Sequence, residues 1–413
     1  MKRFFKVTAI LMALTVAVFS LAACGNSSSG TSATTGSASE AATTTAASGG
    51  SSEGSGSSAA GGTFKLGGIG PLTGEAAIYG TAAMNGAQIA VDEINALGGD
   101  IQLSFKAEDD VHDAETSVNA YNNLVDWGMQ ILVGTVTTTP CLAVSAETNA
   151  DRVFELTPSA SAVDVVKDKD NVFQVCFTDP NQGVASADYM STNYANEKIA
   201  VIYKNDDAYS SGIRETFVAE AKEKNLEVVY EGTFTSDTQT DFSVQLTAAQ
   251  SAGATLVFLP IYYQPASIIF SQADSMGYAP IWFGVDGMDG ILTMQGFDTS
   301  LAEGVLLLTP FSADAEDDLT QNFVTKYQAA YGETPNQFAA DGYDAVYIIY
   351  QAIIAAGVTA DMSAADICEA LIKVMPEITV DGVTGAGMTW AASGEVSKDP
   401  RAVVIKDGVY VTP

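Results

Sequence analysis

From Thr63 to the C-terminus the chain alternates short apolar runs with longer amphipathic segments, and it does so twice over. "FKLGGIGPL" reads as a strand entering a Gly-rich turn. Tyr79 to Leu97 reads as a helix, with Ala83, Ala87, Ile89, Val91 and Ile94 spread along it and Gly98-Gly99 at its end. "IQLSFKAEDD" alternates Ile101, Leu103 and Phe105 as a strand does. A helix over about 114–127, a strand over 131–134, a helix from about Pro140 to Ala150 and the strand "VFEL" follow. The pattern restarts at "KIAVIYKND", with a helix from about Tyr209 to Asn225, then "LEVVYEGTF", "ATLVFLPI" and "APIWFG", separated by helices near 241–251 and 264–276. "GVLLLTPF" adds a strand, and Glu316–Tyr331 and Asn336–Ala356 add two helices before a tail of short strands broken by Gly and Asp turns. Repeated strand–helix order with short connections predicts mostly parallel sheets covered by helices. Residues 63–413 are too many for one ordinary core, so the fold class expected is α/β with two doubly wound lobes, the chain crossing between them more than once.

The first residues differ in kind. "MKRFFKVTAILMALTVAVFSLAACG" has a basic start, an apolar stretch from Val7 to Leu21 and then small residues, the layout of a secretory signal peptide over residues 1–23. "LAAC", Leu21 to Cys24, resembles the bacterial lipobox, in which the cysteine is lipidated and becomes the first mature residue. Residues 25–62 are Gly, Ser, Thr and Ala apart from Asn26, Glu40 and Glu53, a flexible tether with nothing to bury. Its root-mean-square span is roughly 35 Å. The formal net charge is −32, and removing residues 1–23 deletes three basic groups and no acidic one, which leaves −35. So acidic a chain without a basic run is a poor partner for nucleic acid. Beyond Cys24 the cysteines are Cys141, Cys176 and Cys368, an odd set that cannot form a full disulfide framework.

Several chemistries are missing. The chain has no phosphate-loop or nucleophile-elbow motif, and a single histidine, His112, argues strongly against a histidine triad or a multi-histidine metal site. The acidic run Glu108 to Glu115 reads as a solvated loop in which Asp113 caps the next helix. "GGIGPLTG" departs from a dinucleotide fingerprint, because Pro71 interrupts it and the helix opens late. The chain is therefore expected to be no enzyme and to carry no cofactor or metal. Two strand ends stand out instead. "GTVTTTP" places Thr137, Thr138 and Thr139 where a strand hands over to a helix, and "LTPSASAV" places Ser159 and Ser161 in what reads as the same setting. Each is either an N-cap or part of an anion cradle, since helix N-termini offer free N–H groups and the positive end of the dipole. Ligands of open α/β sheets bind beyond the carboxyl ends of strands, which favours the cradle.

The lipobox, "KLGGIGPLTGEAAIYGTAAMNGAQIAVDEINALGG", "VGTVTTT", "LTPSAS", "FTDPNQG", "YKNDDAYSSG" and "DFSVQL" occur in that order. They resemble the leucine/isoleucine/valine-binding family of substrate-binding proteins for ABC importers, over essentially all of residues 63–413. The resemblance implies two lobes, 63–180 with 308–378 and 181–307 with 379–413, joined by a three-strand hinge and closing over a ligand. It implies that Thr138, with Thr137 beside it, meets an amino-acid carboxylate, and that Ser159 and Ser161 share the α-carboxylate and α-ammonium. It further implies that Asp286 meets the ammonium from the other lobe, and that Tyr79, Tyr209, Tyr263 and Phe338 wall the cleft. Asp179 matches an acid near the lobe crossover. The family often has Glu where this chain has Asp286. The function implied is a monomeric receptor, lipid-anchored at Cys24 outside the cell membrane, that delivers a branched-chain amino acid to an ABC permease. Relatives binding an amide, urea or an aromatic acid, and a sensor ectodomain, are the alternatives.

Overall fold

The computed structural model describes residues 62–413; the leader, Cys24 and the tether as far as residue 61 lie outside the described residues. The first sheet is built from β1 (Thr63–Gly70), β2 (Gln102–Asp109), β3 (Ile131–Val133), β4 (Phe154–Thr157) and β5 (Val172–Gln174). They lie in the order β2-β1-β3-β4-β5, every pair parallel. Helices α1 (Ala77–Ala96), α2 (Ala114–Trp127) and α3 (Thr138–Asp151) connect the first four. The strands "ILV" and "FELT" are buried end to end, as the central strands of a sheet covered on both faces must be.

The chain then enters α4 (Asp179–Asn193), which packs on α5 (Ala208–Glu223) of a second sheet. That sheet contains β6 (Lys198–Lys204), β7 (Glu227–Phe234), β8 (Leu256–Leu259), β9 (Ile281–Gly284) and β10 (Leu306–Thr309), with α6 (Ser243–Ser251) and α7 (Tyr263–Ser275) between strands. A second crossing returns the chain to the first lobe as α8 (Asp318–Tyr331), α9 (Gln337–Ala356), α10 (Ala364–Val374) and the hairpin β11 (Val380–Gly382) with β12 (Gly385–Met388). A third delivers β13 (Arg401–Lys406) and β14 (Val409–Val411) to the edge of the second sheet, ordered β14-β13-β10-β9-β8-β6-β7. The architecture is two α/β lobes joined by three crossings.

The return to the second lobe, expected at residue 379, comes about twenty residues later. Val383 and Thr384 donate their backbone N–H to the Asp344 carboxylate on α9, both at 2.9 Å. Trp390 Nε1 donates to the Gln174 carbonyl at 2.8 Å. These bonds hold the hairpin and the segment after it on the first lobe, and Arg401 is the first residue to pair in the second sheet.

Two glycines set how closely α1 and α9 approach. A Cβ on Gly86 would meet the Ala339 carbonyl oxygen at 1.9 Å, and one on Gly342 would meet that of Ala83 at 2.0 Å. The two helices cross backbone to backbone, so neither can yield by turning a side chain. Gly342→Ala is expected to destabilise the protein by about 1–3 kcal/mol, read as a lower denaturation midpoint at unchanged slope.

Candidate ligand site between the lobes

The carboxyl ends of β3 and β4 are laced together by hydroxyl groups. Thr157 Oγ1 donates to the Thr135 carbonyl at 2.7 Å and accepts the Ala160 N–H at 2.9 Å. Ser159 Oγ donates to the Val136 carbonyl at 2.6 Å, and Thr135 Oγ1 to the Thr137 carbonyl at 3.1 Å. With its hydroxyl engaged, Ser159 is left with its carbonyl to offer. Ser161 is fully buried, its carbonyl takes the Asp179 N–H at 2.9 Å, and its hydroxyl has no partner. Thr137 and Thr138 open α3 as expected, two residues earlier than Pro140. No helix follows "LTPSAS": only a single 3-10 turn, Val163–Val165, forms there. Asp168, with a left-handed φ of 59°, stands in the segment beyond it. The second strand end therefore contributes hydroxyls and carbonyls but no helix dipole.

Two carboxylates come from the second lobe, which begins with α4 at Asp179, two residues before the expected boundary. Asp179 is the first residue of α4, and Gly212 of α5 closes over it so tightly that an added Cβ would lie 3.3 Å from Oδ2. It is 1 % exposed and neither oxygen has a hydrogen-bond partner. Burial pushes its carboxyl well above the usual range; Ser161, which faces it, pulls the other way, and the Asp286 charge adds to the rise. Asp286 follows β9 and is 3 % exposed. Its Oδ1 accepts from the Tyr209 hydroxyl at 2.5 Å and from the Gly287 N–H at 2.7 Å. Burial still lifts it to about 6, against the pull of Tyr209 and Gln182. Gln182 Oε1 accepts the Asp286 N–H at 3.2 Å, while its own amide nitrogen has no partner.

Aromatic rings close the space from both sides. Tyr79 on α1 lies 4.3 Å from Phe338 on α9, and 4.9 and 5.3 Å from Tyr263 and Tyr262 across the cleft (ring centres). Its hydroxyl donates to the Gly287 carbonyl and accepts the Tyr263 N–H at 3.1 Å. Tyr263 reaches back to the Glu75 carbonyl at 2.6 Å. Tyr262 stacks on Tyr209 at 4.8 Å, and its hydroxyl faces the Thr138 backbone N–H.

The ten ligand-site residues that the resemblance implies lie along one seam, Thr137, Thr138, Ser159, Ser161, Tyr79 and Phe338 on one side and Asp179, Tyr209, Tyr263 and Asp286 on the other. Cys24 lies outside the described residues. Sequence reasoning missed Tyr262, Gln182 and His112. Gln182 follows Asp179 by three residues, a helical spacing that puts the two on one face and could have revealed it. His112 was legible only as the lone histidine.

A profile of the family described as "Periplasmic binding protein" matches residues 63–409. The chain belongs to that family. This periplasmic binding protein is 30% identical over 336 residues to Leu/Ile/Val-binding protein homolog 3 of Brucella melitensis, covering 80% of this chain and 88% of that protein. It is 26% identical to the leucine-, isoleucine-, valine-, threonine- and alanine-binding protein of Pseudomonas aeruginosa, over 71% of this chain and 79% of that one. Among solved structures, LivJ of Streptococcus pneumoniae in complex with isoleucine superposes with a TM-score of 0.75 at 28% identity, covering 85% of this chain and 100% of that chain. A benzoate-bound solute-binding protein of R. palustris has the same fold, with a TM-score of 0.75 at 22% identity, covering 85% of this chain and 95% of that chain.

Proposed function

We propose that this binding protein is a non-enzymatic receptor held outside the cytoplasmic membrane by a lipid on Cys24, without a cofactor. It takes a small apolar amino acid, of the Leu/Ile/Val kind, between its lobes and passes it as a monomer to an ABC permease. The observation that carries the reading is the pair of acids. Asp179 is buried with both oxygens unpartnered, and Asp286 beside it is paired only with neutral donors. A buried carboxylate without a counter-charge is strongly unfavourable, which favours an occupant that brings a cation. An α-ammonium does so, while its carboxylate meets the open first turn of α3. The rings of Tyr79, Tyr209, Tyr262 and Phe338 then leave apolar surface for the side chain.

The names of the Brucella and Pseudomonas relatives and of LivJ point the same way. An aromatic acid, the ligand of the benzoate-binding neighbour, would instead bring a third negative charge toward the two acids.

Calorimetric titration of the full chain, unfolded and refolded first to strip carried-over ligand, tests this directly. Leucine, isoleucine or valine should bind at micromolar affinity or tighter, and 4-methylpentanoate, which is leucine without its ammonium, should not bind. Equal affinity for leucine and 4-methylpentanoate would remove the role given to the acids.

A further inference from the structure

Thr137 stands at the N-cap of α3, where a threonine hydroxyl ordinarily accepts an amide N–H of the first turn. Here it caps nothing. Its Oγ1 lies 2.8 Å from His112 Nδ1 instead. The amides of a first helical turn have no partner inside the helix, and Pro140 brings none at the third position. The amide that a Thr137 cap would take is therefore that of Thr139, next to Thr138.

His112 is held firmly for this contact. Val111 and His112 are both left-handed, with φ of 47° and 63°, a conformation uncommon outside glycine and demanding for a β-branched valine. The His112 N–H donates to Asp110 Oδ1 at 2.8 Å, and Asp113, the next residue, caps α2. The imidazole meets the Tyr262 ring edge-on with centres 5.6 Å apart. Burial, helped by the Lys204 charge, lowers its pKa to about 4, so at neutral pH the ring carries no charge.

We propose that His112 is a positioning residue for the ligand: it draws the Thr137 hydroxyl off α3 and so keeps the Thr139 amide open to the ligand carboxylate. The proposal rests on the amino-acid reading above, and acts on binding through Thr137 alone. Without the imidazole, Thr137 turns inward, caps Thr139 and competes with the ligand. A residue that cannot cap at position 137 should cancel that competition.

The test compares four full-length chains: the natural one, His112→Ala, Thr137→Val and the double substitution, each titrated with leucine. His112→Ala is expected to weaken leucine about tenfold, the low end for one hydrogen bond to a charged group. Thr137→Val alone sets the reference, since it removes any contact of that hydroxyl with the ligand as well as the cap, and the double substitution should bind within about threefold of it, because without a capping oxygen the imidazole has nothing to hold away. If His112→Ala weakens leucine as much in the Thr137→Val background as in the natural chain, the imidazole supports the loop and nothing more, and the proposal falls. Unchanged affinity in His112→Ala also overturns it. His112→Gly, which tolerates the left-handed backbone, replaces His112→Ala if that chain does not fold. Amide hydrogen exchange at Thr139 without ligand gives an independent readout. Its protection should rise in His112→Ala and fall back in the double substitution, even if leucine proves not to be the ligand.

Discussion

Asp179→Asn is expected to weaken amino-acid binding sharply while raising the melting temperature of the ligand-free protein. The two effects have one origin. Asp179 lies at the head of α4 with no charged partner and no hydrogen bond to either oxygen, so in the free protein its ionised form has only the facing Ser161 hydroxyl to set against burial. Asparagine has the same shape and removes the cost of a buried charge, which should raise the melting temperature by a few degrees, at roughly 2–4 °C per kcal/mol in a mid-sized domain. An ammonium brought into the site would lose its ionic partner, a loss of about 2–5 kcal/mol, or some thirty- to several-thousandfold in affinity. Calorimetry and a thermal melt on the same preparation read both. Full affinity in Asp179→Asn would show that the ammonium is met elsewhere, with Asp286 the remaining acid.

Stability and affinity should move in opposite directions with pH. Burial raises Glu155 from 4.5 to about 7, Asp110 to about 7, Asp341 to about 8, and Asp207 and Asp289 to about 6. An acid whose folded pKa is raised stabilises the fold fully below its unfolded pKa, and that stability is lost as pH climbs through the folded value. For Glu155 alone, the rise from 4.5 to about 7 corresponds to about 3 kcal/mol at roughly 1.4 kcal/mol per pH unit. Surface carboxylates such as Asp109 and Asp170 are lowered and work the other way, but only at more acid pH. The melting temperature of the free protein should therefore be highest near pH 5 and fall steadily to pH 8. Ligand affinity should instead weaken below about pH 6, because an ammonium requires Asp179 and Asp286 ionised and displaces their protons. Titrations in buffers of different ionisation enthalpy would count those protons, and a count of zero at pH 6 would contradict the assignment.

The lobes were legible because strand burial writes itself into short apolar runs, and "ILV" and "FELT" need no distant partner to be recognised. Other elements had signals that went unread. Thr178 with Pro180 opens α4, and Ser363 with Asp366 opens α10, both ordinary capping patterns. The helix expected after "LTPSAS" failed for the opposite reason: its hydroxyls serve strand ends, not amides. Within "YY" at 262–263, period alone does not say which ring turns toward Tyr209, since adjacent helical residues point about a quarter-turn or more apart. Lys398 and Asp341 meet inside the first lobe at 3.5 Å, and no local pattern links two residues so far apart in the chain.

The last crossing has a consequence for biosynthesis. β10 is buried along its whole length, and β13, which pairs with it antiparallel, spans residues 401–406. Until those residues leave the ribosome, "LLLT" presents a bare apolar strand edge, the kind of surface on which nascent chains associate.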